Sequence, residues 1–380
     1  MKFRWLRGVV PLVAVCLFAG ACGANSDDGK GSSSSASSSA LKSKAEADIK
    51  PQLTRPEKIG ITQPLAEHPP ANKTLVAIQC LTPSCATHVN EVKSIAQKLG
   101  WTVRVVTTGT ESPEDVKKAW GKAVDLKPDG VFSYGSDRRY FNPELTELEK
   151  LGIPVLRMNT VDKTGSGLTG IILGRQNYID VGNRAAEFLM SKSGDRVNVL
   201  NVNLGDVIPT LSKVGTGLDQ TLKANCSKCK VYNLTVPISS IGGDLTQRIT
   251  AYLRRNPQIN YMVAGLAEMV VGLPAALDSA GFDKSKLGIV TIGTPDEAVV
   301  KYLSNGNYVQ GIVSGGSVEQ DWNAMDFFIR YFNKEDYQIP LKDETYPRWI
   351  ITKGAVPEGQ VSFPLVADYK QQYEQLWGIS

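Results

Sequence analysis

At 380 residues the chain exceeds the roughly 250–300 residues at which a single hydrophobic core stops growing, so two lobes of ordinary size are expected. The formal charge is +4, and Lys2, Arg4 and Arg7 at the very start supply three of those units. What remains is far too little for a nucleic-acid footprint. With 42% hydrophobic and 21% charged residues, the body reads as globular and soluble, not as membrane-embedded.

The first basic residues precede an uncharged apolar run from Gly8 to Phe18, the layout of an export signal. That run falls short of the roughly 20 apolar residues that a membrane span needs. Ala19, Gly20 and Ala21 lead directly into Cys22. Small residues admit a peptidase to the backbone, and the thiol offers a nucleophile to a diacylglyceryl group. This stretch resembles the lipobox of bacterial lipoproteins, which implies a signal peptide over residues 1–21 and a lipid on Cys22. A plain cleavage site that happens to precede a cysteine is the alternative. Residues 22–72, with serines at 32–35 and 37–39, read as a disordered tether holding a globular body off the membrane.

From residue 74 onward, β-rich apolar runs alternate with amphipathic stretches. Thr74 to Leu81 reads as a buried strand. Ala86 to Leu99 follows as a helix, with Val89, Val92, Ile95, Ala96 and Leu99 at helical spacing. Strands are expected from Trp101 to Val106, Gly130 to Ser133 and Val155 to Met158. Between them lie a helix capped by Ser112, with Pro113 first and Glu114 and Asp115 in its first turn, and another from Pro143 to Leu151. A second series places strands at 197–202, 231–236, 259–263, 287–292 and 308–313. Its helices fall at 177–190, 210–222, 245–255, 269–280, 295–303 and 318–332. Strict alternation argues parallel sheets with helices on both faces. Trp349 to Thr352 fits a last strand, and Asp368 to Trp377 has helical spacing.

Six cysteines are present. Cys16 leaves with the signal and Cys22 takes the lipid, so Cys80, Cys85, Cys226 and Cys229 remain. In an oxidising exterior their spacing suggests two local disulfides, Cys80 with Cys85 and Cys226 with Cys229, although three connectivities are open. A four-cysteine zinc site is the rival, and it would need both pairs in one tetrahedron. Short loops also demand strict geometry, which leaves reduced thiols as a further alternative.

No catalytic constellation emerges. His68 and His88 belong to no H-E-x-x-H, and both read as surface residues. No phosphate loop or nucleophile elbow occurs; Gly165-Ser166-Gly167 lacks the spacing, and the S-x-x-K from Ser39 to Lys42 lies in the tether. No carboxylate pairs with another in an apolar stretch. Glu268 enters a helix N-terminus, where the dipole stabilises it. The expectation is therefore a protein that is not an enzyme, with neither cofactor nor metal.

Four stretches carry a family resemblance: Lys98-Leu99-Gly100-Trp101, Leu151 to Val155, Val263 to Gly281 around Glu268-Met269 and Gly272, and Ile289 to Asp296. In that order and spacing the body resembles type I periplasmic binding proteins, in the ribose-like, sugar-binding branch of ABC-transporter solute receptors. The resemblance implies two Rossmann-like α/β lobes joined by a three-stranded hinge. The first lobe would span 73–174 plus 315–342, and the second 175–314 plus 343–353. The segment 354–380 would be an extension of no assigned role. Ligand would bind between the lobes, at the carboxyl ends of the strands.

Carried over position by position, the family's sugar-binding residues fall on departures. Rings expected after the first strand become Thr82, Ser84 and Cys85. The Asp-Arg pair after the fourth strand becomes Asn159 and Thr160. Polar anchors become Leu266, Gly293 and Ser314. Leu266 and Gly293 would strand sugar hydroxyls at roughly 1–3 kcal/mol each, so the ligand is expected to be less hydroxylated than a free sugar, bulkier or partly apolar. Tyr134 and Trp322 are candidate packing surfaces, with core packing as the alternative, and Asp206 completes the candidate set. The implied function is solute capture for the permease and ATPase subunits of an ABC importer. The protein would be a monomer held outside the cell membrane by its lipid alone, without nucleic acid. The alternative is a lipoprotein that presents a signal to a membrane receptor or kinase.

Overall fold

A computed structural model describes residues 32–110, 112–204, 208–314 and 318–379, with side chains from residue 38 onward. The expected signal peptide, Cys22, the start of the tether and Asp206 lie outside the described residues.

The chain begins with α1 (Ser32–Ile49) and an extended passage to Lys73. The first lobe follows as β1 (Thr74–Gln79), α2 (Pro83–Lys98), β2 (Thr102–Thr107), α3 (Pro113–Asp125), β3 (Gly130–Tyr134), α4 (Asn142–Lys150), β4 (Val155–Met158) and β5 (Gly170–Ile172). The second lobe opens with α5 (Arg175–Ser193), β6 (Asn198–Asn203), α6 (Pro209–Asn225), β7 (Lys230–Thr235) and α7 (Leu245–Arg255). It continues with β8 (Tyr261–Ala264), α8 (Leu273–Ser279), β9 (Gly288–Ile292), α9 (Glu297–Asn305) and β10 (Val309–Val313). Then α10 (Glu319–Asn333) returns to the first lobe against α2, β11 (Ile350–Ile351) rejoins the second, and α11 (Tyr369–Leu376) lies on α10.

The first sheet runs β2-β1-β3-β4-β5, all parallel, with Thr74 opposite Thr102 and Leu75 opposite Gly130. The second runs β11-β10-β9-β8-β6-β7 and is parallel except for β11. Strands β1, β8 and β9 are almost wholly buried and mostly apolar because helices cover both faces, whereas β6 interleaves Val199, Leu200 and Val202 with asparagines. In each sheet the strand order reverses at its first strand, which opens a crevice at the carboxyl ends. The chain passes between lobes at the β5–α5 link, the β10–α10 link and ahead of β11. Two α/β lobes, each with a largely parallel sheet flanked by helices, are thus observed.

Local signals explain the helix starts. The Ser112 hydroxyl accepts from Asp115 N at 3.1 Å, with Pro113 in the first turn, and Asp296 accepts from Val299 N at 3.2 Å to cap α9. The disulfides join Cys80 to Cys85 and Cys226 to Cys229 over Cα separations of 5.7 and 5.4 Å, inside the bridging range. The pairs sit in different lobes, so they share no zinc site.

The tether expectation is corrected for residues 32–72. Leu41, Ala45 and Ile49 recur every fourth residue, and α1 lays that stripe on α5, burying Ala45 and Ile49. Beyond it Ile59 and Ile61 are buried, Arg330 donates to Gln63 O at 2.5 Å, and Trp101 Nε1 donates to Pro70 O at 2.5 Å. Averaging over the serines hid a helical apolar spacing. The C-terminal segment is equally tied down: Phe363 packs on Trp349, and Trp377 on Trp322.

Candidate functional site

A cavity of about 260 Å³ lies between the lobes at the carboxyl ends of both sheets. On the first-lobe side it is lined by Thr82, Ser84 and Cys85 at the start of α2, Tyr134 at the end of β3, Ser136 just beyond it, and Asn159 after β4. Ser136 and Asn159 have φ of +35° and +54°, a left-handed backbone that non-glycine residues adopt at a cost of order 1–3 kcal/mol. Arg157, fully buried on β4, braces these two loops. It donates to Ser133 Oγ at 3.3 Å, to Gly135 O, to Ser136 O at 2.6 Å and to Asp162. The Asn159 amide oxygen accepts from Tyr178 OH of α5 at 2.9 Å, a bond that spans the cleft.

The second-lobe wall is aliphatic. Ile208, Leu211, Ile238, Leu266, Ala267 and Ile292 form most of it, with Thr210, Glu268, Thr294 and Asp296 as its polar groups.

Behind the first wall lies a buried polar network. Asp321 of α10 is fully buried; its Oδ1 accepts from Tyr134 OH at 2.7 Å and its Oδ2 lies 2.8 Å from His88 Nδ1. The His88 and Tyr134 rings stack at 5.3 Å between centroids. Gln320 Nε2 comes within 3.1 Å of His88 Nε2, while Gln320 Oε1 is buried without a partner. Burial works against a charge on His88, but the charge and hydrogen bond of Asp321 outweigh it, so the imidazole titrates above its ordinary value. Burial also raises the Asp321 carboxyl, against the pull of His88, and lifts the Tyr134 hydroxyl well above the usual phenol value.

Two sequence expectations fail here. His88 is not a surface residue: it shares the buried face of α2 with Cys85, Val89 and Val92, and it lines the cavity. Carboxylates do act on one another in a buried stretch, since Glu319, Asp321 and Asp326 are all buried in α10 and the charge of Asp321 adds to burial in raising Glu319. Glu319 Oε1 accepts from the backbone N–H groups of Leu365 and Val366 at 2.6 and 3.1 Å, and burial pushes its carboxyl up to about 7. Asp326 is raised by burial too, while Arg330 at 2.6 Å and Trp377 Nε1 at 2.8 Å favour its charged form.

Of the sequence-derived candidates, Thr82, Ser84, Cys85, Tyr134, Asn159, Leu266 and Gly293 come together on the cavity surface. Cys85 does so as half of a disulfide. Thr160, Ser314 and Trp322 do not line it. The Thr160 hydroxyl donates to Asp162 at 2.8 Å, and Ser314 Oγ accepts from Trp349 N at 2.9 Å. Trp322 donates to Glu91 at 2.8 Å and stacks on Trp377 at 5.2 Å, which makes it core. His88, Gln320 and Tyr178 were not among the candidates. The helical spacing of His88 with Cys85 and Val92 was the one local signal that could have found any of them.

Residues 86–336 match a family model described as periplasmic binding protein domain. Among solved structures, the glucose-galactose binding protein GanP from Geobacillus stearothermophilus is 17% identical with a TM-score of 0.64, covering 76% of this chain and 100% of its own. A carbohydrate transporter protein from Acidothermus cellulolyticus 11B, in complex with myo-inositol, is 20% identical with a TM-score of 0.62, covering 75% of this chain and 95% of its own. The XylFII-LytSN complex contributes a chain 21% identical with a TM-score of 0.64, covering 76% and 100%. At these identities the likeness establishes the fold. Among curated proteins, none matches the chain.

Proposed function

This chain belongs to the periplasmic binding protein family, and from that premise we propose that it captures a small solute in its interlobe cleft and hands it to an ABC importer. The observation that carries this is the cavity itself, enclosed by loops from both lobes at the strand ends, where closure of a hinge traps a ligand. The site does not read as an active site: His88 is committed to Asp321 and Gln320, and among the described residues no serine, threonine or cysteine side chain hydrogen-bonds to it. Binding without turnover is the reading.

The lining favours a ligand less hydroxylated than a free sugar. Titrating ribose or galactose into the full chain is expected to show weak binding, and tight binding of either would overturn this. On export, lipid on Cys22 would keep the protein at the outer face of the membrane. A Cys22→Ala variant should bind solute as before yet be shed from cells; a variant that stays on the membrane would refute the anchor. One fold neighbour is solved in complex with a second protein, LytSN. That favours, as a second reading, presentation of the bound ligand to a protein receptor, which loss of uptake in a deletion strain would rule against.

A further inference from the structure

The cleft cavity does not end at the lobes. A second chamber of about 750 Å³ adjoins it, roofed by residues 362–371 of the C-terminal segment, and Ser84, His88, Glu268, Thr294 and Asp296 line both spaces. Charge across the two chambers is one-sided. Among the described residues Lys370 is the single Lys or Arg on their walls, and its Nζ is held by Glu91 at 2.9 Å. Three carboxylates among the described residues line the space. Asp296 caps α9, and Asp368 accepts from Gln372 at 2.7 Å. Glu268 has no ion pair or side-chain hydrogen bond among the described residues, and it stands where the chambers meet. Gln320, which lines the smaller cavity, is only 4% exposed, and its Oε1 is buried and unpartnered.

A buried acceptor without a donor costs about 1–3 kcal/mol, and an unpaired carboxylate in a confined space attracts cations. We propose that the ligand carries a protonated amine that pairs with Glu268 at the chamber junction, with a less polar body against Ile208, Leu211 and Leu266 and any longer substituent lying under the C-terminal segment. This rests on the solute-capture reading and names the class of solute: a cationic amine, not an anion and not a neutral polyol.

Two matched sets test it on the full chain by thermal shift and calorimetry: D-glucosamine, D-glucose and D-glucuronate, and phenethylamine, 2-phenylethanol and phenylacetate. A ligand that binds only the folded state raises the melting temperature as its concentration passes Kd. The amine of at least one set should bind tenfold or more tighter than its neutral counterpart, its affinity should fall with added salt, and the acids should not bind. Glu268→Gln should abolish the preference for the amine while leaving the melting temperature of the free protein unchanged, because Glu268 has no partner to lose. Equal binding of neutral and amine members, an unaffected Glu268→Gln variant, or no binding by either amine would overturn the amine class. Solute capture is read separately, from the mass of what the purified protein releases on denaturation. A neutral or anionic solute there overturns only the amine; an empty cleft that binds nothing in either set counts against both.

Discussion

The two walls of the cleft are built on opposite principles. The first-lobe wall is backed by a buried polar network: Asp321 is shared by His88 and Tyr134 at 2.8 and 2.7 Å, and Arg157 ties the loops beside it together. The second-lobe wall is aliphatic, from Ile208 through Leu266 to Ile292. A buried polar network is costly to disturb, because every lost partner strands a group in low dielectric. An aliphatic wall accepts changes of shape and polarity at small cost to the fold. One wall therefore fixes the site, and the other decides what enters it.

The largest expected effect comes from breaking the first wall. Asp321→Ala leaves a buried histidine and a buried tyrosine hydroxyl unpaired, and should cost about 3–5 kcal/mol in urea denaturation. Asp321→Asn keeps an acceptor for Tyr134 and should lose less. A cost below about 1 kcal/mol for the alanine variant would mean that the network does not hold the wall.

Next in size is the pH response of Glu319, at the rear of the same wall. Its carboxyl titrates at about 7 in the folded chain against 4.5 as its ordinary value, so the folded state holds the proton more tightly. That contribution is fully present below about 4.5 and is lost as pH rises through about 7, on the order of 3 kcal/mol in all. Glu319→Gln should match the parent near pH 5 and be more stable than it near pH 8 in thermal melts. A variant with the parent's pH profile would contradict this assignment. Smaller again is the disulfide at the cleft mouth. Replacing Cys80 and Cys85 by serine should cost about 2 kcal/mol, read from the denaturation midpoint, and weaken ligand binding because Thr82 and Ser84 lie within its loop. The smallest effect on folding belongs to the second wall: Leu266→Asn should change stability by no more than about 1 kcal/mol yet raise affinity for polyols in calorimetry, which no first-wall substitution should do.

The alternation of strands and helices was legible because periodicity is local: Val89, Val92 and Ile95 declare α2 wherever the helix packs. Much of the cavity surface was legible too, since Thr82, Asn159, Leu266 and Gly293 follow strands whose ends the topology must bring together. What stayed hidden depends on partners distant in sequence. His88 and Asp321 are 233 residues apart, and nothing near either announces the other. Glu319 and Asp326 read as ordinary helix carboxylates until Val366 and Trp377 arrive from the chain's end. In α1, the stripe of Leu41, Ala45 and Ile49 was masked by serine content, because composition averages over the spacing that decides packing.

The central claim is that one solute is held in this cleft and left chemically unchanged. Calorimetric titration of the full chain with its co-purifying solute, compared with a Leu266→Trp variant that fills the aliphatic wall, tests it directly. One solute per chain, recovered at its original mass and excluded by the tryptophan while the free protein melts as before, is the predicted result. Undiminished binding by Leu266→Trp, or a solute altered in mass on release, would contradict it.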